Sequence, residues 1–568
     1  MVRIVSQCRR YPPARAVIRA ASARRSSLTL TLGLALVCLA PAASAADGWK
    51  AGAAPVGVAQ FSGYTQERAV VAVSDDGQRL ATVWETVIGH QIKLRFFGSN
   101  GWPLSSELLV NEGLTGHIQD EPMVAMDSEG RTIVCWTDRN GYDGDSMGIF
   151  ARVYDSAGVA MGPPFVVNDD TTQSQWEPMP AALPDGGWVV AFNGEDDGEA
   201  WFRRLEVDGT PIGGDVNMAT FHNNGQVDAA VTVDAEGRLF TVFVDYGGNV
   251  ALFTGTNIFV RCFLPDGTAL DPSETLAHNT LLSFDQIDPR LASNRLRGAA
   301  TVHWMVWQDG GNDGDGEGIF AQRFGMTGAP LGPAWQVNTT TTGDQLLPQI
   351  SVDHVGNALI TWEDRSSGIG RIMTRVYLPD GTPSTGEMEV DATPGAQHRP
   401  AVAMTPSGER AWFIFEGPGI HSNPTPAQDS DALLVPWTRP AISFLTPGDL
   451  GTTVVIDHDL PGGDELLRVT MASFGTDGIP LPDGRSVPLT QDGLFGHSLL
   501  HGDDGLPFQG MLVMVPPGGA NLASLTIPSN PMLLGMELHF AALTIKLDEP
   551  TQVEQMRHVS DVASLMLQ

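Results

Sequence analysis

The sequence predicts an all-β chain: a seven-bladed β-propeller over residues 56–444, closed by an N-terminal strand, and then a β-sandwich-like domain over residues 445–568. Three residue types recur at near-constant offsets and carry this prediction. A glutamine opens each unit, at Gln66, Gln119, Gln175, Gln226, Gln286, Gln345 and Gln397. A glycine follows eleven or twelve residues later, at Gly77, Gly130, Gly186, Gly237, Gly298, Gly356 and Gly408. A large aromatic residue follows 17 to 21 residues after the glutamine, at Trp84, Trp136, Phe192, Phe243, Trp307, Trp362 and Phe415.

Each unit contains four short strands. In residues 345–397, "PQISVD" and "NALITWED" are runs of strand-forming residues on either side of a turn, which predicts a hairpin. The segment "RIMTRVYLPDG" supplies a third strand, and "GEMEVD" supplies a fourth. Seven such units without a 3.6-residue period predict a propeller and exclude helical repeats such as TPR and ankyrin arrays.

The seventh unit lacks a fourth strand. It offers three candidates, "PAVAM", "AWFIFEG" and "ALLVPW", before the repeat stops. Upstream of the first unit, "VGVAQFSGYTQ" at residues 56–66 aligns with the fourth-strand segments "FVVNDDTTQSQ" and "WQVNTTTTGDQ". Because a ring of sheets must hide its first and last edges, we expect the N-terminal strand to complete the last blade.

Residues 445–568 belong to a different sequence type. The runs "TTVVID", "LLRVTMASF", "QGMLVMVP" and "MELHFAALTIKLD" alternate with turns rich in Gly, Pro and Asp, which predicts a β-sandwich. The final "HVSDVASLMLQ" has a spacing that a helix could also use, but its surroundings favour a strand.

Residues 1–45 have the pattern of a secretory signal peptide. Seven arginines precede the apolar run "LTLTLGLALVCLA" and the small residues "PAASA". The run is too short to span a membrane, and no later run approaches that length, so we expect no transmembrane segment. The predicted location is secreted, periplasmic or at the cell surface.

The charge of the chain limits its partners. The formal net charge is −33, and removal of the arginine-rich leader makes it more negative. This charge repels nucleic acid and anionic membranes, which leaves a glycan or protein ligand, or a cation, and we expect a monomer. Only Cys135 and Cys262 lie beyond the leader, on blades that are not neighbours, so we expect no disulfide.

Two acidic loops are candidate cation sites. The stretch "WQDGGNDGDGEG" contains Asp309, Asp313 and Asp315, and the equivalent "TDRNGYDGDSMG" contains Asp138, Asp143 and Asp145. Closely spaced Asp with interleaved Gly can converge oxygen ligands on calcium, which is the cofactor we consider. The same residues also favour ordinary exposed turns, and the EF-hand glutamate is absent, so both interpretations stay open.

The other repeated positions favour structural roles. A basic residue recurs in each third strand, with Gln322 in unit five, where every blade could use the same hydrogen bond. A repeated position favours a structural role, because a catalytic site is not repeated seven times. The recurring aromatics are interpreted as core residues, with sugar stacking by Trp307 or Trp362 as the lesser alternative. His497 and His501 lack a zinc-ligand context. Walker, G-x-S-x-G and C-x-x-C motifs are absent, so no catalytic residue is assigned.

Units two and five carry a family resemblance. Their segments "GIFARVYDSAGVAMGPPFVVN" and "GIFAQRFGMTGAPLGPAWQVN" resemble a repeat of large secreted and cell-surface proteins from Gram-negative and related environmental bacteria. The tail, through "IPSNPMLLGMELHFAALTIKL" and "SDVASLMLQ", is similar to a C-terminal β-module of exported planctomycete and myxobacterial proteins. These resemblances imply a propeller fold and an exported location, and they imply no reaction.

Three hypotheses for function follow. The loops from second to third strand and the crossings between blades are expected to open on the same side of the propeller, which we call the loop face. The first hypothesis is an exported, non-catalytic propeller whose acidic loop face binds a glycan or protein, with calcium as a candidate contributor. The second is a polysaccharide hydrolase or lyase that uses carboxylates of the loop face as acid and base. The third is a structural or surface-attachment module. Whether the chain is an enzyme is left undecided, with binding favoured.

Overall fold

A computed structural model describes residues 49–439, apart from 52–54, 61–64, 75–76, 100, 115, 196–198, 221–224, 247–254, 278–283 and 419–429, and then the backbone of strands between residues 442 and 566. The predicted signal peptide and His497 and His501 lie outside the described residues. Within the described residues, no helix is long and apolar enough to cross a membrane.

Seven antiparallel sheets form the blades of a propeller. Two short strands come first, β1 (Lys50–Ala51) and β2 (Val56–Gly57). Six sheets of four consecutive strands follow: β3 (Gln66–Val73), β4 (Arg79–Thr86), β5 (Gln91–Gly98), β6 (Leu108–Leu109); β7 (Gln119–Met126), β8 (Thr132–Asp138), β9 (Gly148–Tyr154), β10 (Phe165–Val166); β11 (Gln175–Ala182), β12 (Trp188–Gly194), β13 (Glu199–Leu205), β14 (Pro211–Asn217); β15 (Gln226–Val233), β16 (Leu239–Asp245), β17 (Asn257–Phe263), β18 (Thr275–Leu276); β19 (Gln286–Ser293), β20 (Val302–Asp309), β21 (Gly318–Gly325), β22 (Trp335–Gln336); and β23 (Gln345–Val352), β24 (Ala358–Asp364), β25 (Arg371–Tyr377), β26 (Met388–Glu389). The seventh sheet contains β27 (His398–Met404), β28 (Arg410–Pro418) and β29 (Ser430–Thr438).

The N-terminal strands close the ring. Both β1 and β2 pair antiparallel with β29, and Val56 lies opposite Leu434. The Val58 N–H extends this pairing by donating to the Ala432 carbonyl at 3.0 Å. The outer edge of the seventh blade is therefore covered by residues from the start of the chain, which confirms the predicted closure.

The three repeated residue types have one structural role each. All seven marker glutamines are buried, and so are all seven aromatics. All seven glycines have positive φ, from 62° to 106°, in the turn between the first and second strands. This conformation is one that side chains with a Cβ rarely adopt, which explains why the turn keeps glycine.

Apolar clusters join neighbouring blades around the ring. One cluster packs Trp136 of the second blade against Val83 of the first, and another packs Trp84 of the first blade against Trp412 of the seventh. Cys135 and Cys262 are buried in separate clusters as free thiols, as predicted.

The third-strand arginines make the hydrogen bond predicted from their repetition. Arg95, Arg152, Arg203, Arg261 and Arg375 each donate to a main-chain carbonyl that follows or ends the outermost strand of the preceding blade, for example Arg375 to Val337 at 2.8 Å. The position therefore ties each blade to its neighbour.

The remaining described strands form two larger sheets and a hairpin. They are β30 (Ile442–Phe444), β31 (Thr453–Asp459), β32 (Leu466–Ser473), β33 (Ile479–Pro480), β34 (Ser486–Val487), β35 (Phe508–Gln509), β36 (Leu512–Met514), β37 (Ala520–Thr526), β38 (Glu537–Lys546), β39 (Met556–Val559) and β40 (Ala563–Met566). One sheet has the order β30-β31-β37-β35, and the other has the order β36-β32-β38-β39, with β40 also on β38. The strands agree with an all-β region, and the sandwich and the domain boundary at residue 444 stay predictions.

Candidate functional site at the mouth of the central channel

The first strand of every blade contains a β-bulge two residues after the marker glutamine. The pairing with the second strand shifts there in all seven blades, for example between Asp120 and Met123. The bulged residue has φ between 48° and 55° in each case, a left-handed conformation that is uncommon without glycine. The seven residues are Arg68, Glu121, Glu177, Asp228, Asp288, Leu347 and Arg399.

These seven bulged residues surround one cavity. All of them line a space of about 270 Å³, together with neighbouring residues such as Met123, Met179 and Arg290. Because one equivalent residue comes from each blade, this cavity lies on the propeller axis. We call it the channel mouth.

The bulge is held by hydrogen bonds between blades. In five blades the bulged N–H donates to the side chain that follows the core aromatic of the preceding blade. The acceptors are Glu416 for Arg68 (2.8 Å), Glu85 for Glu121 (3.2 Å), Thr137 for Glu177 (3.1 Å), Gln308 for Leu347 (3.0 Å) and Glu363 for Arg399 (3.2 Å). Glu85, Glu363 and Glu416 are therefore structural acceptors beneath the channel mouth.

Charge is divided unequally around the ring. Blades two to five supply the acidic arc, defined as Glu121, Glu177, Asp228 and Asp288, whereas blades one and seven supply Arg68 and Arg399. Leu347 of blade six lies between Asp288 of blade five and Arg399 of blade seven. The bulged position recurs in all seven blades, but it carries acidic residues on one side of the ring and arginines on the other. In this it differs from the marker glutamine, glycine and aromatic positions, since nothing in the fold requires the unequal charge.

The arginine side of the ring is neutralised by ion pairs. Arg68 lies 3.2 Å from Glu121 and 3.8 Å from Glu85, and Arg399 lies 3.2 Å from Glu416. Arg139 also donates to Glu121 at 2.7 Å. These contacts compensate one end of the acidic arc.

The rest of the acidic arc is less compensated. Within the described part of the chain, Glu177, Asp228 and Asp288 form no ion pair, and the Asn193 amide donates to Glu177 at 2.8 Å. The Glu177 side chain is exposed to the channel but surrounded by the blades. This enclosure and the charges of Glu121 and Asp228 outweigh the opposing charge of Arg290 and raise the pKa of Glu177 to about 7. Burial and the charge of Asp288 likewise raise the pKa of Asp228.

Tyr246 is an exposed aromatic residue close to the acidic arc, whereas the exposed Phe284 lies beside Gly311 of the blade-five loop. Tyr246 is 58% exposed, and partial burial together with the charges of Asp228 and Glu177 raises its pKa. Phe284 is 51% exposed and precedes the first strand of blade five. An apolar surface next to unbalanced carboxylates is a common composition for a ligand site.

The loop aspartates of blade five do not line this cavity. Asp309 is fully buried and accepts the N–H groups of Gly311 (3.2 Å) and Asn312 (2.8 Å). Asp313 accepts from the Asn338 amide at 3.3 Å, and Asp315 accepts the Gly343 N–H at 3.3 Å. These bonds tie the loop to the crossing between blades five and six.

The blade-two loop repeats the arrangement. Asp138 accepts the Tyr142 N–H at 2.8 Å, Asp143 accepts from the Asn168 amide at 3.3 Å, and Asp145 accepts the Gln173 N–H at 2.9 Å. Among the residues that the structure describes, no group of three His, Cys, Asp or Glu side chains is arranged to hold a metal ion. The turn interpretation accounts for these bonds, and calcium binding stays a prediction.

The sequence did contain a signal for the channel mouth. The bulged residue always lies two positions after the marker glutamine, and a proline follows it in five units, at Pro122, Pro178, Pro289, Pro348 and Pro400. A proline inside a predicted strand marks a bulge, because it cannot donate to the neighbouring strand.

The comparisons with known proteins give no family for this chain, and they find distantly similar solved structures. No protein-family model matches the chain, and no curated protein is similar to it in sequence. A protein of unknown function from Dyadobacter fermentans is similar in structure, with a TM-score of 0.40, 10% identity, and coverage of 69% of this chain and 99% of that one. An α-L-arabinofuranosidase from Fusarium graminearum has a TM-score of 0.37, 11% identity, and coverage of 67% and 96%. Hydrazine synthase from Kuenenia stuttgartiensis has a TM-score of 0.39, 12% identity, and coverage of 62% and 93%.

Proposed function

We propose that the chain is an exported, non-catalytic binding propeller whose acidic loop face takes a glycan or protein ligand, anchored at the channel mouth. The observation that carries the proposal is the unequal ring of bulged residues. Seven equivalent backbone positions converge on one cavity, and their side chains are divided into an acidic arc and an arginine pair.

The acidic arc favours a ligand with a basic or donor-rich group. Glu177 accepts a hydrogen bond from the Asn193 amide, and Asp228 accepts the Asp288 N–H. Among the described residues, Glu177, Asp228 and Asp288 form no ion pair, and the charge of Arg290 only partly opposes the rise in the pKa of Glu177 and Asp228. A lysine side chain of a protein, an amino sugar or a set of sugar hydroxyls would supply what these carboxylates lack. The chain's net charge of −33 would also attract a basic ligand from solution.

Polysaccharide hydrolysis is the second candidate, and one observation favours it. A pKa of about 7 leaves Glu177 partly protonated at neutral pH, as a general acid requires, and its neighbours Glu121 and Asp228 are also carboxyl groups. A hydrolase of this kind would use Glu177 as proton donor and a neighbouring carboxylate as base or nucleophile.

One assay separates the hypotheses. Residues 47–568 are incubated with a panel of polysaccharides, glycans and basic proteins, with calcium or with chelator, and both retention and release of reducing ends are recorded. Retention without release supports the binding proposal. Release of reducing ends that Glu177→Gln abolishes supports hydrolysis instead, and absence of both favours the structural role.

The same assay tests the calcium hypothesis. Retention that is lost in chelator and in the double variant Asp313→Ala/Asp315→Ala would place a functional cation in the blade-five loop. Retention that survives both changes would leave that loop as a turn. In either case the channel mouth can be evaluated separately, because it shares no residue with the loop.

A further inference from the structure

Blade three carries a second cavity on the loop face. Its volume is about 250 Å³, and its lining includes Asp169, Asp170, Gln175, Gly194, Trp201 and Asp215. It shares no lining residue with the channel mouth. The size is below the 300–1,000 Å³ or so of pockets that enclose a drug-sized ligand, so it suits a single ring.

The cavity exists because blade three departs from the repeat. At the end of the second strand, blades two, five and six carry Asp138, Asp309 and Asp364, each hydrogen-bonded to the marker glutamine of its own blade. Blade three has Gly194 at this position. The marker Gln175 instead donates to the Thr172 carbonyl at 2.9 Å.

Trp201 supplies the apolar wall. It lies opposite Phe192 in the sheet and packs in part against the core between blades two and three. A Cβ built on Gly194 would lie 2.9 Å from the Trp201 Nε1. The indole therefore uses the space that the missing side chain leaves, and it remains partly exposed at the cavity.

Carboxylates supply the polar wall. Asp170 is exposed at the rim, and Asp215 accepts the Asp169 N–H at 2.7 Å. Arg203 lies 3.3 Å from Asp169 and 3.7 Å from Asp215, so one cation faces the three carboxylates of Asp169, Asp170 and Asp215 and the wall stays acidic. Ionised carboxylates only accept hydrogen bonds, so a fitting ligand needs several donors and one apolar face.

We propose that the blade-three cavity binds one neutral sugar residue of a glycan, with its C–H face against Trp201 and its hydroxyl groups donating to Asp170 and Asp215. A sugar ring combines an apolar face with neighbouring hydroxyl donors, which matches the two walls. The inference rests on the proposed function in taking a glycan as the ligand, but it stands on separate residues.

Refilling the cavity tests the inference. Gly194→Asp restores the side chain that blades two, five and six carry. The Gly194 backbone is not left-handed, but the new Cβ would lie 2.9 Å from the Trp201 Nε1, so the variant also shifts the indole at the cavity wall. Gly194→Ala is the milder variant, in case the aspartate disturbs folding. Gly386→Asp adds the same charge where a new Cβ would meet nothing within 4 Å, and it serves as the control.

Residues 47–568 are titrated with methyl glycosides and short oligomers of glucose, galactose, mannose and xylose, by saturation-transfer NMR and calorimetry. We expect at least one sugar to bind through its ring C–H protons, and Gly194→Asp to weaken it by about tenfold or more. Gly386→Asp should bind as the parent does. No binding by any sugar, or equal binding by parent and both Gly194 variants, would overturn the inference.

A channel-mouth variant separates this inference from the proposed function. If Glu177→Gln/Asp228→Asn weakens ligand retention and Gly194→Asp does not, the channel mouth stands and the blade-three site fails. If only Gly194→Asp weakens sugar binding, the blade-three site stands and the anchoring role of the channel mouth fails.

Discussion

The bulged residues hold the same strained backbone conformation seven times around the channel. A left-handed non-glycine residue costs about 1 kcal/mol, so the ring requires compensation. The hydrogen bonds between blades provide it, for example from the Arg68 N–H to Glu416 and from the Leu347 N–H to Gln308. The fold therefore requires and compensates the strained backbone, whereas it does not determine which side chains occupy the seven positions.

The raised pKa of Glu177 predicts a pH dependence of stability. Its pKa is about 7 in the folded protein, against about 4.3 for an unfolded chain, so the folded state binds this proton more tightly. Its contribution to stability is present below pH 4.3 and is lost as the pH rises through 7.

Glu177→Gln should remove this loss. We expect the variant to match the parent near pH 4.5 and to exceed its free energy of unfolding by about 1 kcal/mol at pH 8, because channel water screens part of the effect. Denaturant titrations at both pH values measure the difference. An equal difference at the two pH values would show that this carboxyl group does not titrate as described.

The third-strand arginine predicts a stability effect that separates two substitutions. Arg375 donates to the carbonyls of Val337 (2.8 Å) and Thr385 (3.1 Å). Arg375→Ala should lower the free energy of unfolding by about 1–2 kcal/mol, since the Thr385 carbonyl loses this donor and the Val337 carbonyl keeps the Tyr377 hydroxyl at 3.2 Å. Arg375→Gln should cost less, because Gln322 occupies this position in blade five and still reaches the Gly332 carbonyl. Equal losses in the two variants would contradict the hydrogen-bonding role.

At the scale of the elements, the closing strands predict how the ring is held together. Removing residues 47–57 deletes β1 and β2 and exposes the edge of β29. We expect the free energy of unfolding to fall by roughly 3 kcal/mol or more, because several hydrogen bonds and their packing are lost. Thermal unfolding followed by circular dichroism measures the effect.

A control keeps the strands and changes an exposed side chain beside them. Gln60→Ala leaves the main chain intact and should unfold like the parent protein. An unchanged midpoint of thermal unfolding after the deletion would mean that blade seven is stable with three strands. The N-terminal strands would then pair with the ring without stabilising it.

The strands were predictable because each repeated residue has one physical task. Gln345 is buried at the start of a first strand, Gly356 makes the turn, and Trp362 fills the core, so their spacing gives the strand order. Five of the six described fourth strands, all except β14, are shorter than the sequence runs indicated, since in each only two residues pair with the third strand, as in β26. Their extent depends on pairing that a sequence run does not specify.

At the scale of the whole molecule, the sequence predicted the seven-bladed fold but not the position of the channel mouth. The acidic loops were candidate sites because Asp and Gly cluster there, yet Asp309 and Asp138 accept hydrogen bonds from N–H groups within their own blades. The channel mouth was missed because its residues are scattered through the chain. They become neighbours only when the seven first strands converge on one axis.

The most direct test of the central claim compares two sets of carboxylates on the same face. Affinity for the retained ligand is measured for the parent, for Glu177→Gln/Asp228→Asn at the channel mouth, and for Asp313→Asn/Asp315→Asn in the blade-five loop. The measurements are made at pH 8, above the pKa of Glu177, so that both double variants remove about two charges and overall electrostatic attraction changes similarly. We predict that the channel-mouth variant weakens binding about tenfold or more and that the loop variant changes it by less than about threefold. Equal effects, or a larger effect in the loop, would contradict a ligand site at the channel mouth.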